Sequence, residues 1–188
     1  MRVRLHGRKK VSFPSSQSGL SLIEVLLGMT LMTVGLVGML SVFSFALTLT
    51  GAAQQDQIGE QLASEALESI FTARETADLS WNQIQNVEDG GVFVSDYQSI
   101  HESGADYILG TSDDIEAPAR VLSLLGSDGI LGTADDRQMA LTKFKRKIEI
   151  APVQDSSSLR LVTITVQYPA PAGVLKSYVL TTYISQFR

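Results

Sequence analysis

Gly19-Leu20-Ser21-Leu22-Ile23-Glu24-Val25 places a single carboxylate, Glu24, at the head of an apolar run that carries no further charge until Asp56. An ionisable side chain near a bilayer interior costs about 2.5 kcal/mol or more, so Glu24 needs a neutralising group from outside its own segment. From Val25 to Leu49 the residues are Leu, Val, Met, Phe, Ala, Gly, Ser and Thr, with no charge and no proline. At about 1.5 Å per helical residue this run is long enough to cross a hydrocarbon core of roughly 30 Å. A secretory signal would carry a shorter apolar region, of roughly 7 to 15 residues, with its cleavage site on the far side. Here the small residue suited to processing, Gly19, lies on the near side, so the apolar helix stays with the product.

Charge is distributed as a membrane topology requires. Arg2, Arg4, Arg8, Lys9 and Lys10 all precede Gly19, and no acid does. The positive-inside rule keeps that end in the cytoplasm and sends everything after about residue 50 across the membrane. Fifteen basic residues less these five leaves ten against twenty acidic ones, a formal −10. Such a surface disfavours nucleic acid and suits cations or a basic partner. With 188 residues and 44% hydrophobic content, the chain has room for one modest domain plus an anchor. Cysteine is absent, which removes disulfides, thiolate metal sites and cysteine nucleophiles together. Beyond the leader the one histidine is His101, which lies among loop-forming residues and reads as a surface residue, not a general base. With no nucleophile motif, phosphate loop or metal triad, the sequence offers no enzyme.

Helical character continues past the apolar run. Residues 52–77 are rich in Ala, Gln, Glu and Leu and align Ile58, Leu62, Ala66, Ser69 and Ala73 on one face, with Leu67, Ile70 and Phe71 able to dock on a core. One helix from about Ser21 to about Ala73 is expected, on the order of 80 Å long. A domain this small can cover its second half only, so the first half must meet lipid or neighbouring helices. Gly28, Gly35 and Gly38 would permit close helix approach there.

Past Trp81 the pattern turns to loops and strands, broken at Gly90-Gly91. A short strand is expected over Val92–Tyr97, and better ones over Lys143–Val153, Leu159–Tyr168 and Val174–Phe187, the last two joined across Pro169–Gly173. Three consecutive strands predict an antiparallel sheet whose hydrophobic face receives the soluble half of the long helix. The fold class is thus α+β. Lys143, Lys145, Arg146 and Lys147 alternate with Phe144 and Ile148 and read as a solvated strand face, not a nucleic-acid site.

The head also carries an internal repeat. Gly104-Ala105-Asp106-Tyr107-Ile108-Leu109-Gly110-Thr111-Ser112-Asp113-Asp114 recurs 22 residues later as Gly126-Ser127-Asp128-Gly129-Ile130-Leu131-Gly132-Thr133-Ala134-Asp135-Asp136, with eight of eleven positions identical. Two units are too few for a solenoid, so each is expected to be a local loop, pinned to the core by its Ile-Leu pair. Two readings of its acidic residues stand. One is turn chemistry, in which Asp and Gly favour tight turns. The other is Ca²⁺ held by Asp106, Asp113, Asp114, Asp128, Asp135 and Asp136, since hard cations take 6 to 8 oxygen ligands. The spacing is not that of an EF-hand, but it resembles Asp-Gly-x-x-Gly-Thr-x-Asp-Asp repeats of bacterial surface proteins suspected of binding calcium.

Gly19, Leu20 and Glu24, between a basic leader and an apolar helix, resemble the class III signal of type IV pilins and pseudopilins, departing from it where Leu20 replaces the commoner Phe. That resemblance implies cleavage after Gly19 by a prepilin peptidase, N-methylation of the new amine on Leu20, and assembly by an inner-membrane platform. It also implies that Glu24, the fifth mature residue, pairs with the N-terminal amine of an adjacent subunit. The corresponding organisation is a leader over 1–19, a transmembrane and assembly half-helix over 20–50, a soluble half-helix over 51–78, and a β-rich head over 79–188 with acidic loops at 104–114 and 126–136. The stretch Thr33-Val34-Gly35-Leu36-Val37-Gly38-Met39-Leu40, and Ser41 where many major pilins have a kinking proline, look like the span of PilV-type minor pilins.

A minor pilin, single-pass in a bacterial inner membrane and then in the pilus, is the function this implies. Its partners would be other pilins, the peptidase, the assembly platform and membrane lipid. The alternatives are a minor pseudopilin of a type II secretion system and a membrane-anchored calcium-binding domain that never assembles.

Overall fold

The computed structural model describes residues 21–170 and 173–187. Helix α1, Leu22–Thr76, is a single α-helix of 55 residues. The chain divides into two compact units, one ending at Ala46 and one beginning at Leu47.

In the first unit every described residue is exposed. The absence of proline lets the i to i−4 ladder run unbroken, and hydroxyls along it bond back to the preceding turn. Thr30 Oγ1 donates to Leu26 O at 2.7 Å, Thr33 Oγ1 to Met29 O at 2.6 Å and Ser41 Oγ to Val37 O at 3.0 Å. Hydroxyls closed onto the preceding turn are what a helix needs where water is absent. A Cβ added at Gly28, Gly35 or Gly38 would meet nothing within 4 Å, so these glycines leave shallow open places along the helix. The helix is long and apolar enough to cross a membrane.

In the second unit, α1 buries Ile58, Gly59, Leu62, Ala63, Ala66, Ile70 and Ala73. Spacings of three and four put these on one stripe, and four of the seven are Gly or Ala, which lets the backbone lie close to what it packs on. That surface is a four-stranded antiparallel sheet of β1 (Gln98–Ser99), β4 (Lys145–Val153), β5 (Ser156–Pro169) and β6 (Leu175–Ser185), in the order β1-β4-β5-β6. Between β1 and β4 in sequence, β2 (Val121–Leu124) and β3 (Arg137–Ala140) form a separate antiparallel pair.

Alternation along the strands builds the core. Val162, Ile164, Val166 and Tyr168 of β5 are buried, as are Ile148 and Ile150 of β4, and Ile148 lies opposite Ile164 in the register. Phe144 stacks on Tyr168 with ring centroids 5.6 Å apart. Tyr168 in turn donates its hydroxyl to Asp56 Oδ1 on α1 at 2.9 Å, and Lys176 of β6 holds the other oxygen at 2.5 Å. Burial and that carboxylate push the Tyr168 phenol up to about 12.

Asn86 finishes the sheet where strand pairing stops. Its amide donates to Ile148 O at 2.8 Å and Phe93 O at 3.2 Å, while its Oδ1 accepts from Ile150 N at 2.7 Å. One buried side chain thus stands in for a neighbouring strand.

Two strand expectations change. Residues 92–97 are not a strand: Val92 N and Phe93 N are spent on Gln83 O at the end of a 3-10 turn and on Gln85 O in the bend after it, leaving isolated bridges at Phe93, and β1 follows at Gln98–Ser99. The β2–β3 pair was not expected. The Lys143–Arg146–Lys147 face also differs, because Arg146 is buried while Lys143 and Lys145 are exposed.

The closeness of α1 to the sheet yields a test. A Cβ on Gly59 would sit 2.6 Å from Tyr168 Cε1. Gly59→Ala gains up to about 1 kcal/mol of helix propensity against overpacking worth about 1 to 3 kcal/mol. The expected outcome is a melting temperature lower by roughly 2 to 8 °C, whereas Gly51→Ala, with nothing within 4 Å, is neutral or stabilising. The reverse ranking would contradict this packing.

Candidate functional site

Of the residues expected to direct processing and assembly, Gly19 and Leu20 lie outside the described residues, and Glu24 is placed. It sits in the first turn of α1, with its N–H donating to Ser21 O at 2.9 Å and its side chain exposed. An acid in the first turn complements the helix dipole. Among the described residues no cation pairs with it, and the residues that follow, Val25 to Leu49, are uncharged and exposed. The geometry is a carboxylate at the start of an uncovered apolar helix.

The loop aspartates are brought together three to a repeat, and each accepts at least one backbone N–H. In the first loop, Asp114 accepts from Gly104 N at 2.9 Å and Gly110 N at 2.6 Å. Asp113 accepts from Asp106 N at 3.3 Å and from the Thr111 hydroxyl at 2.6 Å, and Asp106 accepts from Ile108 N at 2.8 Å. The second loop repeats this set. Asp136 accepts from Gly126 N at 3.1 Å and Gly132 N at 2.6 Å, Asp135 from Asp128 N at 3.2 Å and Thr133 Oγ1 at 2.7 Å, and Asp128 from Ile130 N at 2.9 Å. Gly110 and Gly132 have φ of 95° and 90°, a left-handed conformation that glycine adopts without steric cost.

Each carboxylate therefore closes the loop by taking up backbone N–H groups. Among the described residues no group of three or more acidic or imidazole side chains is placed to hold a metal. The carboxylates are thus spread around the loop by their amide contacts, not gathered on one point. The expected pinning of both loops by Ile-Leu also divides. Ile108 and Leu109 are 5% and 6% exposed, but Ile130 and Leu131 are 60% exposed each. The second loop, at the tip of the β2–β3 hairpin, meets none of the surface that covers the first.

Arg146 was missed by the sequence reading. It is buried on β4, with Nη2 3.8 Å from Asp114 Oδ2. Burial works against the charge on both. It pushes Asp114 up, offset by the N–H bonds from Gly110 and Gly104 and by Arg146, and it lowers Arg146 against the pull of Asp114 and Glu65. Arg120 meets Glu65 at 2.6 Å nearby. The signal was present in parity: Arg146 lies two residues from both Phe144 and Ile148, which assigns it to the buried face. His101 is half-buried, its Nδ1 3.0 Å from Asp114 O.

Residues 14–40 match the family model for the prokaryotic N-terminal methylation motif. The chain thus has a class III, prepilin-type N-terminus, and the motif indicates a type IV pilin-like or pseudopilin precursor. Comparison with curated proteins and with solved structures gives no match.

The loops predict a signed response to acid. The hydroxyls of Thr111 and Thr133 are the foremost groups holding Asp113 and Asp135 below the usual carboxylate range. Their contribution is complete above the unfolded-state value of about 3.9 and is lost as pH falls through their folded values. Asp114, shifted up, acts oppositely and gains stability as pH falls toward the unfolded value. Thermal melts should hold their midpoint down to about pH 4 and lose it below, and Asp135→Ala should flatten that loss. An equally steep loss in Asp135→Ala would contradict the assignment.

Proposed function

We propose that this protein is a minor pilin of PilV type that takes part in initiating or building a type IV pilus. The observation that carries the reading is the methylation motif over residues 14–40, set before a helix whose described apolar residues are exposed through Leu49 while its later turns pack on a β head. Such a helix serves two media in turn. In the inner membrane, as a single-pass anchor with its N-terminus cytoplasmic, lipid covers it. In the fibre, the helices of other pilins do so.

Glu24 supplies the register in this reading. After cleavage at Gly19 the new amine of Leu20 is a cation at the edge of the same apolar layer, and a neighbouring subunit's Glu24 neutralises it. A subunit placed one step out of register leaves a buried charge unpaired, at a cost of about 3 to 5 kcal/mol. The interaction therefore selects position as well as affinity. The partners are other pilins, the prepilin peptidase, the inner-membrane platform and lipid, and the protein catalyses nothing itself.

Two measurements test this. Mass spectrometry of protein from cells with an active prepilin peptidase should find the chain beginning at a methylated Leu20, and Glu24→Ala should lower its recovery in sheared pili by at least about tenfold, equivalent to 1.4 kcal/mol. Deletion should impair pilus formation and twitching. Loss of protein secretion with pili intact would assign it to a type II system instead, and an N-terminus still at Met1 would remove the reading altogether.

A further inference from the structure

The two acidic loops are one structure in two settings, and the first shows what the second lacks. Four side-chain-to-N–H bonds and the Thr-Asp hydroxyl bond recur pair by pair between them. All use Asp, Thr and backbone, so the Ile-Leu pair contributes nothing to closing the loop. In the first setting that pair is used. Ile108 and Leu109 are buried, Leu109 N donates to Ser69 Oγ of α1 at 3.0 Å, Gly110 lies against Ile148, and Asp114 faces Arg146.

In the second setting each of these has no counterpart among the described residues. Ile130 and Leu131 are 60% exposed, with Leu125 at 57% on the same hairpin. A Cβ on Gly132 would meet nothing within 4 Å, and no cation stands at ion-pair distance from Asp136. Single exposed aliphatics are ordinary, but an exposed pair that closes no loop bond, in a repeat whose other copy buries the same pair, is not selected by turn chemistry and points to a contact surface.

We propose that the second loop docks on a different protein, at a surface that repeats the seat of the first: an aliphatic floor for Ile130 and Leu131, a hydroxyl for the Leu131 N–H, and a guanidinium for Asp136. A second copy of this chain does not serve, because its own seat of that kind, made by Ser69, Ile148 and Arg146, is filled by its own first loop. Charge points the same way, since the chain after Gly19 carries a formal −10 and the loop adds Asp128 and Asp135 beside Asp136, favouring a basic partner. The inference does not depend on the pilin reading, and its test reads contact, not filament assembly.

The experiment places a photo-crosslinking amino acid at Leu131 in the full chain, in cells that produce it, with Tyr107, 85% exposed on the first loop, as the control position. The expected result is one discrete adduct from Leu131 and none from Tyr107, mapped by mass spectrometry to a segment of another protein in which an arginine stands among aliphatic residues. Changing that arginine to alanine should lower the adduct at least about fivefold. Adducts only to lipid, only to a second copy, or to a segment without arginine would overturn the proposal, as would no adduct above the Tyr107 control. Stability separates docking from folding. Ile130→Ser with Leu131→Ser should leave the melting temperature within about 2 °C, well under the shift that 1 kcal/mol gives in a small domain, while Ile108→Ser with Leu109→Ser lowers it clearly. An equal drop in both would assign the exposed pair to folding and end the argument.

Discussion

A helix can lie against a sheet only as closely as its side chains allow, and here the seam is lined with small residues. Gly59, Ala63, Ala66 and Ala73 bring α1 onto the sheet, and Ile58, Leu62 and Ile70 fill the space beside them. Everything in the head is arranged around that contact. Tyr168 lies against Gly59 and passes its hydroxyl to Asp56, Ser69 receives the first acidic loop, and Glu65 receives Arg120. Ahead of the seam the same helix carries Leu, Val, Met and Phe on all sides, and its described residues there are exposed. An all-round apolar helix is stable only in lipid or among other helices. One element therefore has a half that is satisfied by its own domain and a half that is satisfied elsewhere, and the methylation motif at its start states the class of machinery that handles such chains.

The duplicated loop shows how a local structure can be separated from its use. Its closure rests on carboxylates receiving N–H groups, so it needs no core and forms at an exposed hairpin tip as it does against α1. What differs is the environment of the Ile-Leu pair and of the last aspartate. Asp114 is paid for by Arg146, and without that guanidinium a buried carboxylate would be strongly destabilising. Asp136 escapes the cost by remaining in contact with water. The first copy is thus part of the fold, and the second is carried by it.

Long regular patterns were legible in the sequence and short contextual ones were not. The second half of α1 and strands β4, β5 and β6 each show a sustained period over many residues, which fixes both type and buried face, while the first half of α1 is marked by the length of its uncharged run. β1 has two residues and β2 and β3 four each, too few for a period to appear, and they exist because partners hold them. Residues 92–97 looked like a strand by composition, yet the N–H groups of Val92 and Phe93 had nearer acceptors in Gln83 and Gln85. Arg146 was assigned to solvent by its charge although its position between Phe144 and Ile148 placed it inside. Glu24 could be singled out from sequence because isolation in an apolar run is itself the signal. The amide contacts of the loop aspartates could not, since they depend on a backbone path that two adjacent carboxylates do not specify.

The division of α1 between two environments is most directly measured by cysteine scanning, for which the chain is suited because it contains no cysteine of its own. Single cysteines along the helix, in membranes or assembled fibres, would be challenged with a water-soluble maleimide. The account predicts reaction at Gln57 and Gln61, protection at Ala63 and Ala66 by the head, and protection throughout residues 30–45. Free labelling at Met32, Val37 or Val42 from the aqueous phase would contradict it.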